Sequence, residues 1–132
     1  MADQVPLVTV NGQMERLAAG DRLATGATVT TSFSVAQRTF TPASPGDSTS
    51  VGAADQAILV ITSTYASGVL LPTPVGAGGR RLTVKDKSFN SGRYPITVST
   101  AAALIDGSAT FRIAINAQSV DFISDGANWF AT

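Results

Sequence analysis

Hydrophobic and polar residues alternate along several short stretches of the chain. In residues 27–35 the odd positions are mostly apolar, and the even positions are threonine or serine. A period of two predicts a β-strand with one face toward a core and the other toward water. The same alternation occurs in residues 82–84, 94–98 and 111–115, whereas residues 57–61 (AILVI) have no polar face, which indicates a strand covered on both sides.

Three dipeptides mark tight turns between these stretches. Asn11-Gly12 follows an apolar stretch, and Asn-Gly supplies the positive φ angles of a type I′ hairpin. Asp125-Gly126 predicts a second such hairpin, between residues 120–123 and 128–130, and Asp106-Gly107 precedes the strand around Phe111. Short strands with regular turn signals predict an all-β fold, an antiparallel β-sandwich or a barrel-like module.

Helix signals are weak. Residues 14–19 could form a short helix that Gly20 ends, but we favour pairing this segment with the first strand as a hairpin. Residues 101–104 are compatible with a helix but too short to be stable alone. The turn-rich stretch 41–50 divides the chain into an N-terminal hairpin or arm with linker (residues 1–50) and a compact β module (residues 51–132).

Composition narrows the function classes. Nine basic and nine acidic residues give the chain no net charge. We therefore expect no general electrostatic attraction to nucleic acid or to an anionic membrane. There is no cysteine or histidine, which removes the commonest nucleophile-base and metal-ligand chemistry. The low charged fraction, 14%, suits a protein that lies against other protein surfaces. No signal peptide is recognisable, so we expect synthesis in a cytoplasm.

Candidate sites for chemistry are sparse. The acidic residues fall mostly at turns or strand ends, where aspartate caps the backbone, so we expect no enzyme activity. Asp121, Asp125 and Asn128 could offer oxygens to calcium from one hairpin, but turn chemistry explains this pattern without a metal. We therefore expect neither a metal nor a cofactor.

Two glycine-rich or basic segments have simpler interpretations than a ligand site. The run 76–81 (GAGGRR) lacks the Gly-Lys-Ser/Thr ending of a phosphate-binding loop and leads into a strand. The basic residues in 80–93 form a weak patch in a chain without net charge, so we expect no nucleic-acid partner. Arg80 and Arg81 could instead serve a protein interface. Trp129, the only tryptophan, is expected to anchor a core or an interface rather than stack on a sugar.

The C-terminal two-thirds of the chain carries an ordered series of short motifs. An aspartate-led apolar strand comes first, followed by a leucine-proline step and a Leu-x-Val-Lys-Asp strand. A Ser-Asp-Gly-x-Asn-Trp hairpin closes the series. The segments are 54–60 (ADQAILV), 70–74 (LLPTP), 79–86 (GRRLTVKD), 94–98 (YPITV), 104–107 (LIDG) and 120–129 (VDFISDGANW).

This series resembles the β module of tailed-bacteriophage tail fibres, appendages, head fibres and capsid decoration proteins. The opening segments 6–12 (PLVTVNG) and 19–23 (AGDRL) resemble the start of several small phage virion proteins. The resemblance implies a homotrimeric module on the exterior of the virion, with no catalytic residues. Because the chain has no long shaft, we expect a capsid decoration (cement) or short head-fibre protein whose partner is the major capsid protein.

Residue roles follow from this expectation. Arg80, Arg81 and Trp129 are candidate interface residues. The strands around 58–61, 82–84, 111–115 and Phe122 are expected to form the core. The arm is expected to dock on the capsid or to exchange between subunits through its apolar side chains, namely Val5, Leu7, Val8, Val10, Met14, Leu17 and Leu23.

Two rival functions make different demands on the residues. A tail-fibre tip or receptor-binding knob would bind a host-surface glycan and would need an exposed aromatic platform, with Trp129 or Tyr65 facing solvent. A hydrolase or lyase would need a cleft with converging acids, and the absence of histidine counts against it. Labelling particles with gold-conjugated antibody would separate a head protein from a tail protein.

Overall fold

The computed structural model describes residues 9–10, 13–14 and 35–132. They belong to two units, Met1–Ser34 and Val35–Thr132. In the first unit, β1 (Thr9–Val10) pairs with β2 (Gln13–Met14) in antiparallel fashion, with Val10 opposite Gln13. The predicted hairpin at Asn11-Gly12 is therefore confirmed, and Met14 is in a strand. The predicted strand at 27–34 and five residues of the arm lie outside the described residues: Val5, Leu7, Val8, Leu17 and Leu23.

The second unit contains nine strands in two sheets. The five-stranded sheet has the order β11-β10-β7-β5-β3, and the four-stranded sheet has the order β4-β6-β8-β9. Within residues 35–132 there is no helix. The strands are β3 (Gln37–Phe40), β4 (Ser48–Ser50), β5 (Ala57–Val60), β6 (Ser67–Leu71), β7 (Arg81–Asp86), β8 (Ile96–Thr100), β9 (Thr110–Ile113), β10 (Ser119–Ser124) and β11 (Trp129–Ala131).

Successive strands alternate between the two sheets from β3 to β8. Strands β3, β5 and β7 lie side by side in one sheet and are parallel, while β4, β6 and β8 do the same in the other. Only the last part of the unit uses antiparallel pairs, β8 with β9, β7 with β10, and β10 with β11. The chain therefore alternates between the sheets and adds one strand to each in turn.

This topology corrects the expectation of an antiparallel fold. The all-β class is confirmed, but both sheets are mixed. Alternation of apolar and polar residues reports which face of a strand is buried and carries no information about strand direction. Parallel neighbours need a crossover connection, and here the crossover passes through the opposite sheet.

The inward faces of both sheets share one hydrophobic cluster. Phe111 and Phe122 meet edge to face in it, with ring centroids 5.6 Å apart. The expected core strands are confirmed except at their ends, because β9 ends at Ile113 and Ile115 is 68% exposed. The buried members are Val51, Ile58, Val60, Val69, Leu71, Leu82, Val84, Ile96, Val98, Ile105, Ile113, Val120, Phe122 and Trp129.

The domain boundary lies earlier than residue 50. Strand β3 pairs with β5 from Gln37 onward, and β4 pairs with β6 from Ser48 onward. Residues 35–50 therefore belong to the compact unit, and its limit is between Ser34 and Val35. The stretch 41–47, which looks like a linker in sequence, is the connection by which the chain crosses from one sheet to the other.

The two remaining Asp-Gly turns differ from each other. Asp106 and Gly107 both have positive φ, 49° and 79°, and Ile105 bridges to Ser108 around them, as a two-residue turn requires. At Asp125-Gly126 the strand register pairs Ser124 with Trp129, so the loop has four residues and only Gly126 has positive φ. The hairpin expected at Asp125-Gly126 is therefore confirmed, but its type I′ turn is wrong.

Candidate functional site

Asp86 is the last residue of β7 and occupies an inward position. It follows Leu82 and Val84 on the same face of the strand and has no exposed surface. A carboxylate at such a position is costly unless hydrogen bonds replace its hydration. The connections that surround it, 87–95 and 114–118, supply those hydrogen bonds.

The Asp86 carboxylate accepts hydrogen bonds from both connections. Oδ2 accepts the backbone amides of Asn90 and Ser91 at 2.9 Å, and that of Ala117 at 3.0 Å. Oδ1 accepts the amide and the hydroxyl of Ser88 at 3.0 and 3.1 Å. One buried side chain therefore fixes two loops that are distant in sequence.

The hydrogen bonds also determine the charge state of Asp86. Burial by itself raises the pKa of this carboxyl, but donation from the Ser91 and Ala117 amides and from Ser88 outweighs it and lowers the pKa to about 2. Asp86 is thus a buried anion at neutral pH. Its charge is compensated by backbone dipoles, and Lys85, on the other face of β7, donates to the Ala117 carbonyl from its ammonium group.

The same two loops carry additional cross-connections. Ser91 Oγ donates to the Ile115 carbonyl at 2.6 Å, and the Gly92 amide donates to Asn116 Oδ1 at 2.8 Å. Two non-glycine residues in these loops, Phe89 and Ala117, have left-handed φ angles of 60° and 64°. Such conformations are uncommon for residues other than glycine and persist where surrounding contacts fix them.

These fixed loops present large apolar side chains to solvent. Phe89 is 64% exposed and Ile115 is 68% exposed. Two exposed cations are near them in the chain, Lys87 and Arg93, and the Arg93 guanidinium lies over the Tyr94 ring at 5.2 Å. We call Lys87, Phe89, Arg93 and Ile115 the Phe89 surface. Apolar side chains with arginine at the rim are typical of protein interfaces.

A second surface lies at the opposite ends of the strands. Asp125 is exposed, and its Oδ1 accepts the amides of Ala127 and Asn128 at 2.8 Å, which lowers its pKa. Asn128 Oδ1 in turn accepts the Leu104 amide at 3.0 Å, which ties the 101–109 loop to this turn. We call four exposed residues at this end of the strands the Asp125 surface: Val75, from the β6–β7 connection, with Leu104, Asp106 and Asp125.

The three candidate interface residues of the compact unit do not form a common surface. Arg80 donates from Nη2 to the carbonyls of Gly52, Ala53 and Asp55 at 2.8, 3.3 and 3.1 Å, so it fixes a loop of its own chain. Arg81 is exposed and pairs with Asp121 at 3.4 Å. Only Arg81 is therefore placed as an interface residue would be.

Trp129 lies in the core. Its side chain has no exposed surface, and Nε1 donates to the Pro72 carbonyl at 3.0 Å. Its assignment to an interface is therefore wrong for this structure, because an enclosed indole has no surface to offer a partner. Tyr65, the other aromatic residue of the rival function, is half-buried.

The three residues weighed for calcium have other partners. Asp121 accepts the Thr83 hydroxyl at 2.6 Å and pairs with Arg81, whereas Asp125 and Asn128 hold the β10–β11 loop. Among the described residues no three histidine, cysteine or acidic side chains are grouped as metal ligands would be. Turn and sheet contacts therefore account for the positions of all three side chains.

A depression of about 230 Å³ lies beside the start of β7. Val35, Gln56, Arg81 and Thr83 line it. The one charged side chain in this lining, Arg81, already pairs with Asp121. Among the described residues that line the depression, Arg81 is not joined by a second ionisable group.

Sequence reasoning missed both Asp86 and the Phe89 surface. The signal for Asp86 was its spacing: it lies two residues after Val84 and four after Leu82, which places it on the buried face of the strand. The signal for Phe89 was weaker: a lone aromatic residue inside the polar run 88–92 (SFNSG). An aromatic residue in such a run has no strand face through which to reach the core.

Comparison with known proteins adds no relatives. No protein-family model matches the chain, and no curated protein matches it. Residues 9–10, 13–14 and 35–132 include no helix that is both long and apolar enough to cross a membrane.

Proposed function

We propose that the chain is a bacteriophage virion protein that acts by binding, as a capsid decoration (cement) or short head-fibre protein on the outside of the assembled shell. In this proposal the two sheets form a sandwich, three copies assemble as a trimer, and the partner is the major capsid protein. The protein is made in the host cytoplasm and has no cofactor.

The observation that carries the proposal is where the phage-like motifs fall in the fold. The Leu-x-Val-Lys-Asp motif is β7, and its alternate residues Leu82, Val84 and Asp86 are buried. The closing motif covers most of β10 and the loop after it, and it ends on Trp129, the buried first residue of β11. The residues behind the resemblance are thus those that the fold requires, which supports a shared module and leaves the loops free to bind partners.

The surface of the compact unit supports a binding role. Large apolar side chains are exposed on connections that hydrogen bonds hold in place, with Phe89 and Ile115 at one end of the strands and Val75 and Leu104 at the other. Exposed apolar side chains on fixed loops favour contact with another protein. Binding only to the assembled shell would stabilise it by mass action, and three linked contacts would add avidity.

The alternative function, a tail-fibre tip that binds a glycan, has less support at Trp129. A glycan platform at Trp129 needs an exposed indole, and Trp129 is enclosed. Labelling of intact particles with gold-conjugated antibody against the chain tests the choice between head and tail. We expect gold on heads; gold confined to tail tips would overturn the decoration role in favour of the receptor-binding one.

The arm has a separate test. In the full chain, Leu7→Asp together with Leu17→Asp should abolish binding to particles stripped of the protein, while Leu70→Asp, on an exposed residue of β6, serves as the control. Cosedimentation with particles measures both. If the arm variant binds as well as the unchanged chain, the N-terminal segment is not the docking element.

A further inference from the structure

We propose that copies of this chain associate head to tail, with the Phe89 surface of one copy packed against the Asp125 surface of the next. The two surfaces lie at opposite ends of the same strands, since β7 runs from Arg81, beside the 125–128 loop, to Asp86, beside the 114–118 loop. A contact between two different patches is heterologous and is repeated by every added copy.

Charge favours this pairing. The exposed ionised residues of the Phe89 surface are cations, Lys87 and Arg93, and the carboxylate of Asp86 is enclosed behind them. The Asp125 surface carries the exposed carboxylates of Asp106 and Asp125. Each surface thus meets opposite charge in the other, whereas a two-fold contact of either surface with itself would bring like charges together.

Apolar area is available on both sides of the contact. Phe89 and Ile115 are 64% and 68% exposed, and Val75 and Leu104 are 72% and 43% exposed. An aromatic residue surrounded by aliphatic residues is a common energetic centre of an interface. Both surfaces therefore combine an apolar centre with charged neighbours, which is the usual composition of a specific contact.

Both surfaces are also fixed before binding. The Asp86 carboxylate holds the loops on each side of Phe89 and Ile115, and Asp125 with Asn128 holds the 125–128 turn and the Leu104 amide. Loops that are already ordered lose little conformational entropy on association. This argument concerns self-association alone. Because the two surfaces lie at opposite ends of the strands, this contact is separate from the contacts of the proposed trimer, and it does not require that the chain bind a capsid.

Two double variants of the full chain test the inference. Phe89→Asn with Ile115→Ser removes the apolar centre of the Phe89 surface, and asparagine tolerates the left-handed φ at position 89. Val75→Ser with Leu104→Ser removes that of the Asp125 surface. Sedimentation velocity should show that each variant self-associates with a dissociation constant raised about tenfold or more. The reason is that a few residues at the centre of an interface carry most of the binding energy. Leu70→Ser, also an exposed apolar residue, is the control and should associate like the unchanged chain.

Mixing the two variants distinguishes head-to-tail from face-to-face contact. Each variant retains one intact surface, and the two intact surfaces are complementary, so an equimolar mixture should form one-to-one dimers that do not grow further. Added salt should weaken these dimers, because the surfaces carry opposite charges. A mixture that stays monomeric, or a single variant that still self-associates fully, overturns the inference. A chain that self-associates as described but does not bind particles would overturn only the proposed capsid role.

Discussion

The carboxylate of Asp86 accepts the backbone amide of Ala117 at 3.0 Å, across thirty-one positions of sequence. This bond joins the end of β7 to the loop that precedes β10, while the other oxygen of the same carboxylate orders the loop after β7. A single side chain thereby sets the positions of Phe89 and Ile115, the two most prominent apolar side chains at this end of the strands.

Asp86→Asn should therefore destabilise the protein strongly. The amide side chain presents N–H donors to backbone amides that need acceptors, which leaves buried donors unpaired, and we expect a loss of about 3 kcal/mol in the free energy of unfolding. Urea unfolding followed by Trp129 fluorescence measures it. Asp106→Asn is the matched control, because Asp106 is exposed and its contacts to the Ala131 amide are long, at 3.3 Å. Equal losses in the two variants would contradict the role of Asp86.

The pKa of Asp86 predicts a specific dependence of stability on pH. Because the pKa is about 2 in the folded protein and 3.8 without the fold, the stabilisation is fully present above about pH 5. It should be lost as the pH falls from about 5 toward 1, and it amounts to about 2.5 kcal/mol. Unfolding measured across this range should give a smaller slope for Asp86→Asn than for the unchanged chain. Parallel curves would show that other carboxyls dominate the acid response.

Truncation of Arg80 should destabilise the protein more than truncation of Arg81, although the two residues are adjacent. Arg80→Ala removes three hydrogen bonds to carbonyl groups of the 52–55 loop and should cost about 2 kcal/mol of stability. Arg81→Ala removes an exposed ion pair of 3.4 Å and should cost less than about 1 kcal/mol. Thermal unfolding of the two variants side by side measures the difference. A larger loss for Arg81→Ala would contradict these assignments.

Gly68 should resist substitution because of a single neighbour. A Cβ atom at position 68 would lie 2.9 Å from Ser48 Cβ on the adjacent strand, so one of the two strands must shift. Gly68→Ala should destabilise by about 1 to 2 kcal/mol, and Ser48→Gly in the same chain should recover part of that loss. A double-mutant cycle measures the coupling. Purely additive effects would mean that the two side chains do not compete for the same space.

Trp129 provides both a test and a probe. As the only tryptophan, and one enclosed in the core, it should emit at shorter wavelength in the folded protein than in urea. Trp129→Phe removes ring volume and the donor to the Pro72 carbonyl and should cost about 2 to 3 kcal/mol. Phe130→Leu, on the half-exposed neighbour, should cost far less. Emission in the folded state that matches the denatured protein would contradict an enclosed indole.

Much of the fold could be predicted because burial leaves a local trace in sequence. The strands around Ile58, Leu82 and Ile96 follow from alternation or from a short apolar run, and the Asn11-Gly12 hairpin follows from turn chemistry. Strand direction could not be predicted, because a parallel pair and an antiparallel pair can bury the same side chains. The domain limit was placed too late for a related reason, since a crossover between sheets has the same composition as a linker.

The candidate surfaces were harder to predict than the strands. The importance of Asp86 depends on amides from Ala117 and Ser91, which only the folded chain brings together. The sequence could narrow the role of Trp129 to a core or an interface residue. The choice between the two depended on its hydrogen bond to the Pro72 carbonyl, fifty-seven positions away in sequence. Side-chain roles that depend on distant backbone groups leave no local pattern to detect.

The alternation of successive strands between sheets has a consequence for how the protein unfolds. From β3 to β8 no strand pairs with its immediate neighbour in the chain, so neither sheet can be completed while the other is absent. Because side chains from both sheets form one core, a partial structure that lacks either sheet would expose the inward face of the other. Residues 35–132 should therefore melt in one all-or-none transition, with amides of β5 and β8 exchanging with solvent at a common rate despite lying in different layers.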